Sequence, residues 1–313
     1  METPVRICFI GDGSHANRIK NALKNLKINC SFVEFDRTKA LNSQPDLLDC
    51  HAVFITSPNN THAMYLDELN KYFYGYIYCE KPPINKINQI NILENINPSK
   101  CFFGFNYRYS KIFSFVEEMK EKYNLGKEIN MHIHVSYPFA IKEAYLKSWK
   151  SKITKSPLGV IENLGIHYID LAINLFGKFR NVFIIKNNIC DTGSAIDTAT
   201  IFCEHENNAS TQIFVSYATL VKDEIYFTFE NGDINYDGIT LNLLYPKNTF
   251  DESGLAVCPS IASSSEIGGY DLYDKSLNDC VEAFMAVVIN EEKFESILFE
   301  NSKMSTLAML EIA

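Results

Sequence analysis

Along the first third of the chain, short runs of apolar residues alternate with longer stretches in which apolar side chains recur at helical spacing. Val5–Ile10 is an unbroken apolar run apart from Arg6 and ends at Gly11, Asp12 and Gly13; Ile19, Ala22, Leu23 and Leu26 then follow at i, i+3, i+4 and i+7. That spacing predicts a strand turning into a helix with one buried stripe. Further strands are predicted over residues 30–35, 52–56, 76–79 and 101–105, each followed by a polar loop and a helical stretch. Strands and helices in this alternation form a parallel sheet wrapped by helices, since parallel neighbours need a crossover that a helix supplies.

After about residue 120 the period shortens to two. Ile129, Met131, Ile133, Val135 and Tyr137 alternate with Asn130, His132, His134 and Ser136, the pattern of a half-buried strand. Similar runs over 182–185, 198–203, 212–217 and 225–229, the last closing on Asn231 and Gly232, predict a mainly antiparallel open sheet with a hairpin. A helix is predicted from Leu277 to Asn290. The fold class is therefore α/β: a doubly wound domain over residues 1–120, then an α+β domain over 121–313.

Composition narrows the partners. A length of 313 residues with 46% hydrophobic residues fills two cores, and a formal net charge of -9 repels nucleic-acid backbones and anionic membranes. Any phosphate must be held locally. Nine cysteines without a C-x-x-C pair read as reduced core residues of a cytoplasmic protein. The opening apolar run is too short for a signal peptide or a bilayer span.

The turn after the first strand offers such local binding. Gly11 permits a sharp turn, Gly13 lets a pyrophosphate approach the backbone, and Ala16 is small enough for helix and strand to pack closely. Free N–H groups of Ser14, His15 and Ala16 at the helix start bind phosphate without a basic cluster. Asp36 lies 36 − 11 = 25 residues after Gly11, where a carboxylate accepts the adenosine ribose hydroxyls; this favours NAD. Arg37 beside it would tolerate NADP or stack on adenine.

Two more segments follow buried strands: Thr56-Ser57-Pro58-Asn59-Asn60-Thr61-His62 and Cys79-Glu80-Lys81-Pro82-Pro83. With the opening G-x-G-x-x-A, Gly104-Phe105-Asn106-Tyr107-Arg108 and Gly165-Ile166-His167-Tyr168-Ile169-Asp170, they resemble, in order, the motifs of the glucose-fructose oxidoreductase, inositol dehydrogenase and MocA group of two-domain NAD(P)-dependent dehydrogenases. The resemblance covers nearly the whole chain. It implies a Rossmann domain, Lys81 at the reacting hydroxyl, His167 over the nicotinamide, and Ser57, Pro58, Asn59, His62, Glu80 and Asn106 around the cofactor. It also implies a cis Lys81–Pro82 peptide and a homodimer or homotetramer formed through the second sheet.

The chemistry has its own logic. A hydroxyl carbon releases hydride only if its oxygen loses a proton, so a base must lie within about 3 Å. Lysine, with a free pKa of ~10.4, needs burial or nearby positive charge to serve, whereas histidine starts nearer neutrality. Either Lys81 or His167 can accept the proton while the other polarises the oxygen. Arg108 and Asn163 are further candidates for contacting a sugar or nucleotide-sugar substrate. No metal is expected: His132 and His134 share a strand face but have no evident third ligand. Asp170 reads as structural, and Trp149 as a pocket wall or a packing residue.

The chain departs from its relatives at Pro157-Leu158-Gly159, where many have three glycines, and at Asn163, where many have an aspartate. Asparagine cannot take a proton, so a carboxylate partner for Lys81 is in doubt. The Asn-Leu-Gly-Ile-His string resembles the branch that oxidises the 3-hydroxyl of nucleotide-linked N-acetylated sugar acids. The alternative is a catalytically silent dinucleotide-binding sensor on the same fold.

Overall fold

A computed structural model of the chain describes residues 3–269 and 271–312, with the backbone alone at residue 271. The first part runs β1 (Val5–Ile10), α1 (Ser14–Asn25), β2 (Cys30–Val33), α2 (Pro45–Leu48), β3 (Ala52–Ile55), α3 (Asn59–Tyr72), β4 (Tyr76–Cys79), α4 (Ile90–Asn95) and β5 (Cys101–Phe103). Its five strands pair in parallel in the order β2-β1-β3-β4-β5. The chain therefore leaves β1 toward opposite sides to reach β2 and β3, and the carboxyl ends of β1 and β3 border the crevice where open parallel sheets bind ligands. Strands β2 and β5 stop two residues before their predicted ends. Just past β5, Gly104 N still donates to the Cys79 carbonyl at 2.9 Å, and a Cβ there would collide with Tyr78 and Glu80.

The second part begins with α5 (Lys111–Tyr123), β6 (Glu128–Ser136), α6 (Glu143–Lys147), α7 (Ile166–Phe176), β7 (Phe179–Asn187), β8 (Thr198–His205) and β9 (Ser210–Ser216). It continues through β10 (Lys222–Phe229), β11 (Asp233–Tyr236), β12 (Thr240–Leu244), β13 (Ile261–Glu266), α8 (Ser276–Ile289) and α9 (Ser296–Met309). Eight strands form one sheet, ordered β13-β12-β11-β10-β6-β9-β8-β7, antiparallel throughout except for the β6–β9 pair. In β6, Met131, Ile133 and Val135 are buried beneath α7, which touches β6, β9, α5 and α9. The opposite face carries Ile129, His132 and His134 and is open.

Both faces of the parallel sheet are covered, which is why β3 and β4 are buried at every position. Ala63, Leu66 and Leu69 of α3 pack on the side of Val53 and Ile55. Ala16, Ile19, Ala22 and Leu23 of α1 share the other side with Cys280, Val281 and Phe284 of α8, against Phe54 and Tyr78. A helix from the far end of the chain thus completes the first sheet. No helix among the described residues is long and apolar enough to cross a membrane.

Candidate active site

A cavity of about 570 Å³ opens at the carboxyl ends of β1, β3 and β4 and is closed from the other side by residues around the start of α7. That volume suits one small-molecule site. Of the residues assigned from the sequence to catalysis, cofactor or substrate, all but Ala16, Asp36, Arg37 and Arg108 line it.

Gly11 has φ +116°, and a Cβ there would lie 2.7 Å from the backbone of Thr56 and Ser57, so glycine is required by the contact between the turns after β1 and β3. At Gly13 a Cβ would meet nothing within 4 Å, leaving the backbone open to the cavity. Helix α1 starts there with no side-chain cap and no acidic residue in its first turn, so its free N–H groups are available to an anion. Ala16 is fully buried and acts through packing. These features fit a dinucleotide pyrophosphate. Asp36 lies beyond the cavity; its carboxylate accepts from Thr38 N (2.9 Å) and Oγ1 (2.6 Å) and pairs with Lys39 at 3.2 Å. The Thr38 bonds, with help from Lys39, hold it well below the usual carboxylate range, at about 2, so it is an ionised acceptor. Arg37 is exposed beside it.

The loop after β4 delivers Lys81, and the Lys81–Pro82 peptide is cis. His62 ties this loop to the one after β3: its ring nitrogens lie 2.7 Å from the Ser57 carbonyl oxygen and 2.8 Å from that of Pro82. Its imidazole is thus engaged with the protein even though it borders the cavity. Glu80 is buried, and burial alone would raise its pKa. His15, whose Nε2 sits 2.8 Å from Glu80 Oε1 at an angle poor for a hydrogen bond, outweighs that and keeps the carboxyl below its ordinary value.

Lys81 Nζ donates to the Asn163 carbonyl at 2.8 Å, across from one domain to the other. Burial lowers its pKa to about 8, with Glu80 and Glu162 opposing and Lys150 assisting. His167 stacks on Tyr107 with ring centroids 4.5 Å apart, and its Nδ1 is buried without a hydrogen-bond partner. Burial, then the positive charge of Lys81, push its pKa well below the ordinary histidine value. At neutral pH His167 is therefore uncharged.

The backbone of Ile161–Gly165 forms a π-helical turn leading into α7. Such a turn loosens the usual hydrogen-bond ladder, and here the Asn163 carbonyl accepts from Lys81. The Asn163 side chain turns back, donating to Ser156 Oγ at 2.9 Å and the Gly159 carbonyl at 2.7 Å. The carboxylate missing at position 163 stands one residue earlier. Glu162 is fully buried, and Ser156, Asn85 and Asn59 surround its carboxyl without an aligned hydrogen bond. Burial raises its pKa to about 7, and Lys81 pulls the other way. Sequence comparison points to position 163 and not to Glu162, which precedes it within the π-helical turn.

Arg108 is a correction. Its guanidinium is buried on Asp170, with Nε–Oδ2 2.8 Å and Nη2–Oδ1 2.5 Å, and also donates to the Leu298 carbonyl at 3.0 Å. Ser305 Oγ donates to the same carboxylate at 2.7 Å. Residues 106–109 form a 3₁₀ turn of three residues per circuit, which turns Asn106 and Tyr107 toward the cavity and Arg108 away from it. Asn106 Nδ2 donates to Ser276 Oγ at 2.7 Å. Arg18, Lys150 and Tyr273 also line the cavity and were not anticipated. Arg18 lies one turn beyond the glycine motif and could have been inferred; Tyr273 comes from a segment with no local signal. His132 and His134 pack against Tyr226 and Phe214 on the open sheet face, away from this cavity.

Residues 113–235 match the family of GFO/IDH/MocA C-terminal domains. Glucose-6-phosphate 3-dehydrogenase of Bacillus subtilis is 26% identical over 152 residues, which span 47% of this chain and 43% of that protein, less than half of its length. Levoglucosan dehydrogenase in complex with NADH superimposes with a TM-score of 0.81 at 14% identity, covering 99% of this chain and 96% of that one. Myo-inositol 2-dehydrogenase from Lactobacillus plantarum does so with a TM-score of 0.73 at 19% identity, covering 98% and 95%. At these identities the structural likeness is one of fold. Residues 113–235 are thus similar to GFO/IDH/MocA C-terminal domains, and the whole chain shares the fold of these dehydrogenases.

Proposed function

We propose that the chain is an oxidoreductase that moves a hydride between NAD and a hydroxyl carbon of a sugar or sugar derivative. The observation that carries this reading is the meeting of Lys81 and His167, from opposite sides, in a cavity floored by the Gly11–Gly13 turn. When bound, the nicotinamide would accept or return the hydride. Gly11, Gly13 and the N–H groups of Ser14 and His15 would hold its pyrophosphate, and Asp36 the adenosine ribose. In the oxidation direction the carbon loses hydrogen with its bonding pair, the hydroxyl proton leaves, and C–O becomes C=O.

Lys81 is the better-placed base, since burial brings its pKa down toward working pH, to about 8, whereas burial and the charge of Lys81 push that of His167 down and away from it. Neutral His167 then orients the substrate oxygen, and the Asn163 carbonyl steadies the ammonium until its proton is passed on. The open face of the second sheet would pair with another copy of the chain, and the unpaired cysteines suit the cytoplasm.

The test is to mix the protein with NAD and a panel of free, phosphorylated and nucleotide-linked sugars and to follow reduced nicotinamide by absorbance. Turnover is expected with at least one of them. Lys81→Ala should lower kcat at least ~100-fold with little change in NAD affinity. An undiminished rate would remove the lysine from the mechanism. NAD binding without turnover on any sugar would instead point to a sensor.

A further inference from the structure

In a chain of net charge -9, the cavity lining carries three basic side chains against two carboxylates, Glu80 and the exposed Asp12. Lys81, Lys150 and Arg18 all line it. Arg18 is engaged by the Tyr273 carbonyl and Asp274. Lys81 rests on a neutral carbonyl. Lys150 has less: its ammonium sits 5.9 Å from the Trp149 ring, and among the described residues no carboxylate lies within ion-pair distance of it. Of the lining carboxylates, Glu80 lies against His15 and Asp12 is exposed; Glu162, buried behind the wall, sits amid Ser156, Asn85 and Asn59.

A partly buried ammonium beside a second one is costly unless something negative arrives. Burial lowers the Lys150 pKa, as expected of an uncompensated charge, and Lys150 in turn depresses Lys81 and His167, which places it near the reacting groups. Trp149 and Tyr137 supply aromatic walls next to it, suited to the C–H face of a sugar ring.

Resting on the redox reading above, we propose that Lys150 is a specificity residue that binds an anionic substituent of the substrate, so that the natural sugar carries a carboxylate, a phosphate monoester or a nucleoside diphosphate. Any of the three would bring its negative group to Nζ while a ring hydroxyl meets Lys81 and His167. The anion would also raise the Lys81 pKa on binding, since it neutralises the nearest competing cation.

The experiment compares kcat and KM for a neutral sugar, its 6-phosphate, its uronic acid and its nucleoside-diphosphate form, at saturating NAD, in wild type, Lys150→Gln and Lys150→Arg. One anionic form should exceed the neutral sugar by at least ~30-fold in kcat/KM, and which one identifies the anion. Lys150→Gln should raise KM for that form ~10- to 100-fold with a smaller change in kcat, Lys150→Arg should restore most of it, and NAD affinity should stay within ~3-fold. Equal use of neutral and anionic sugars by wild type, or an equal loss on both in Lys150→Gln, overturns the proposal while leaving redox catalysis intact. If no sugar turns over, calorimetric titration with inorganic phosphate and with glucuronate decides: loss of binding in Lys150→Gln supports the anion site without redox chemistry, and unchanged or absent binding in wild type overturns it.

Discussion

At the scale of single residues, the site is governed by burial acting on a few ionisable groups. Lys81 at about 8 must be neutral to act as a base, so kcat/KM for oxidation is expected to rise with pH and level off above that value, while the reverse direction falls. Glu162 at about 7 supports the protonated lysine against Lys150 and Arg18, so Glu162→Gln should move the rising limb to lower pH. The same substitution has a stability signature. The folded pKa of Glu162 lies above the ~4.3 of a free glutamate, so its protonated form contributes fully below that pH, and the contribution is lost as pH climbs through 7. Glu162→Gln should therefore match wild type in Tm near pH 4 and exceed it by a few degrees at pH 8; an equal Tm at both would show the carboxylate to be solvated. Arg108 behaves differently, because it braces α7 and α9 onto the first domain. Arg108→Ala strands Asp170 and is expected to cost about 3–5 kcal/mol in unfolding free energy with KM little changed. A selective rise in KM at full stability would return it to the substrate.

At the scale of elements, the glycines divide into those the backbone needs and those a ligand needs. Gly11 is held by contact with Thr56 and Ser57, so Gly11→Val is expected to lower Tm and abolish NAD binding together; retention of both would mean that the turn relaxes. Gly159, the one glycine kept where relatives have three, has φ +53° and approaches Ile196 so closely that a Cβ would fall 1.9 Å from its carbonyl oxygen. Much of this was legible, because β1, β3 and β4 announce themselves by apolar runs and α1 by its stripe. The predicted ends of β2 and β5 ran two residues long, because Phe35 and Phe105 continue the apolar pattern past the last paired residues, Val33 and Phe103. Strands β11, β12 and β13 escaped notice although Ile234, Tyr236, Leu241 and Leu243 alternate with polar residues, since segments of four to six residues carry little periodic signal. Glu162 was illegible for a different reason: it lies in a π-helical turn, which has no sequence period to mark it.

At the scale of the whole molecule, the open sheet face exposes Phe183 (60%), Phe202 (40%), Ile129 and Tyr226 in one broad surface. Such area on a monomer is a liability that a second copy would remove. Sedimentation should show a dimer or tetramer at micromolar concentration, and Phe183→Lys with Phe202→Lys should yield folded monomers; a monomeric wild type would dismiss the pairing. Helix α8 bears on how the protein comes into being. During synthesis the first five strands leave the ribosome long before residues 276–289, so until that segment arrives α1 shields only part of the sheet side that carries Phe54, Tyr78 and Phe102.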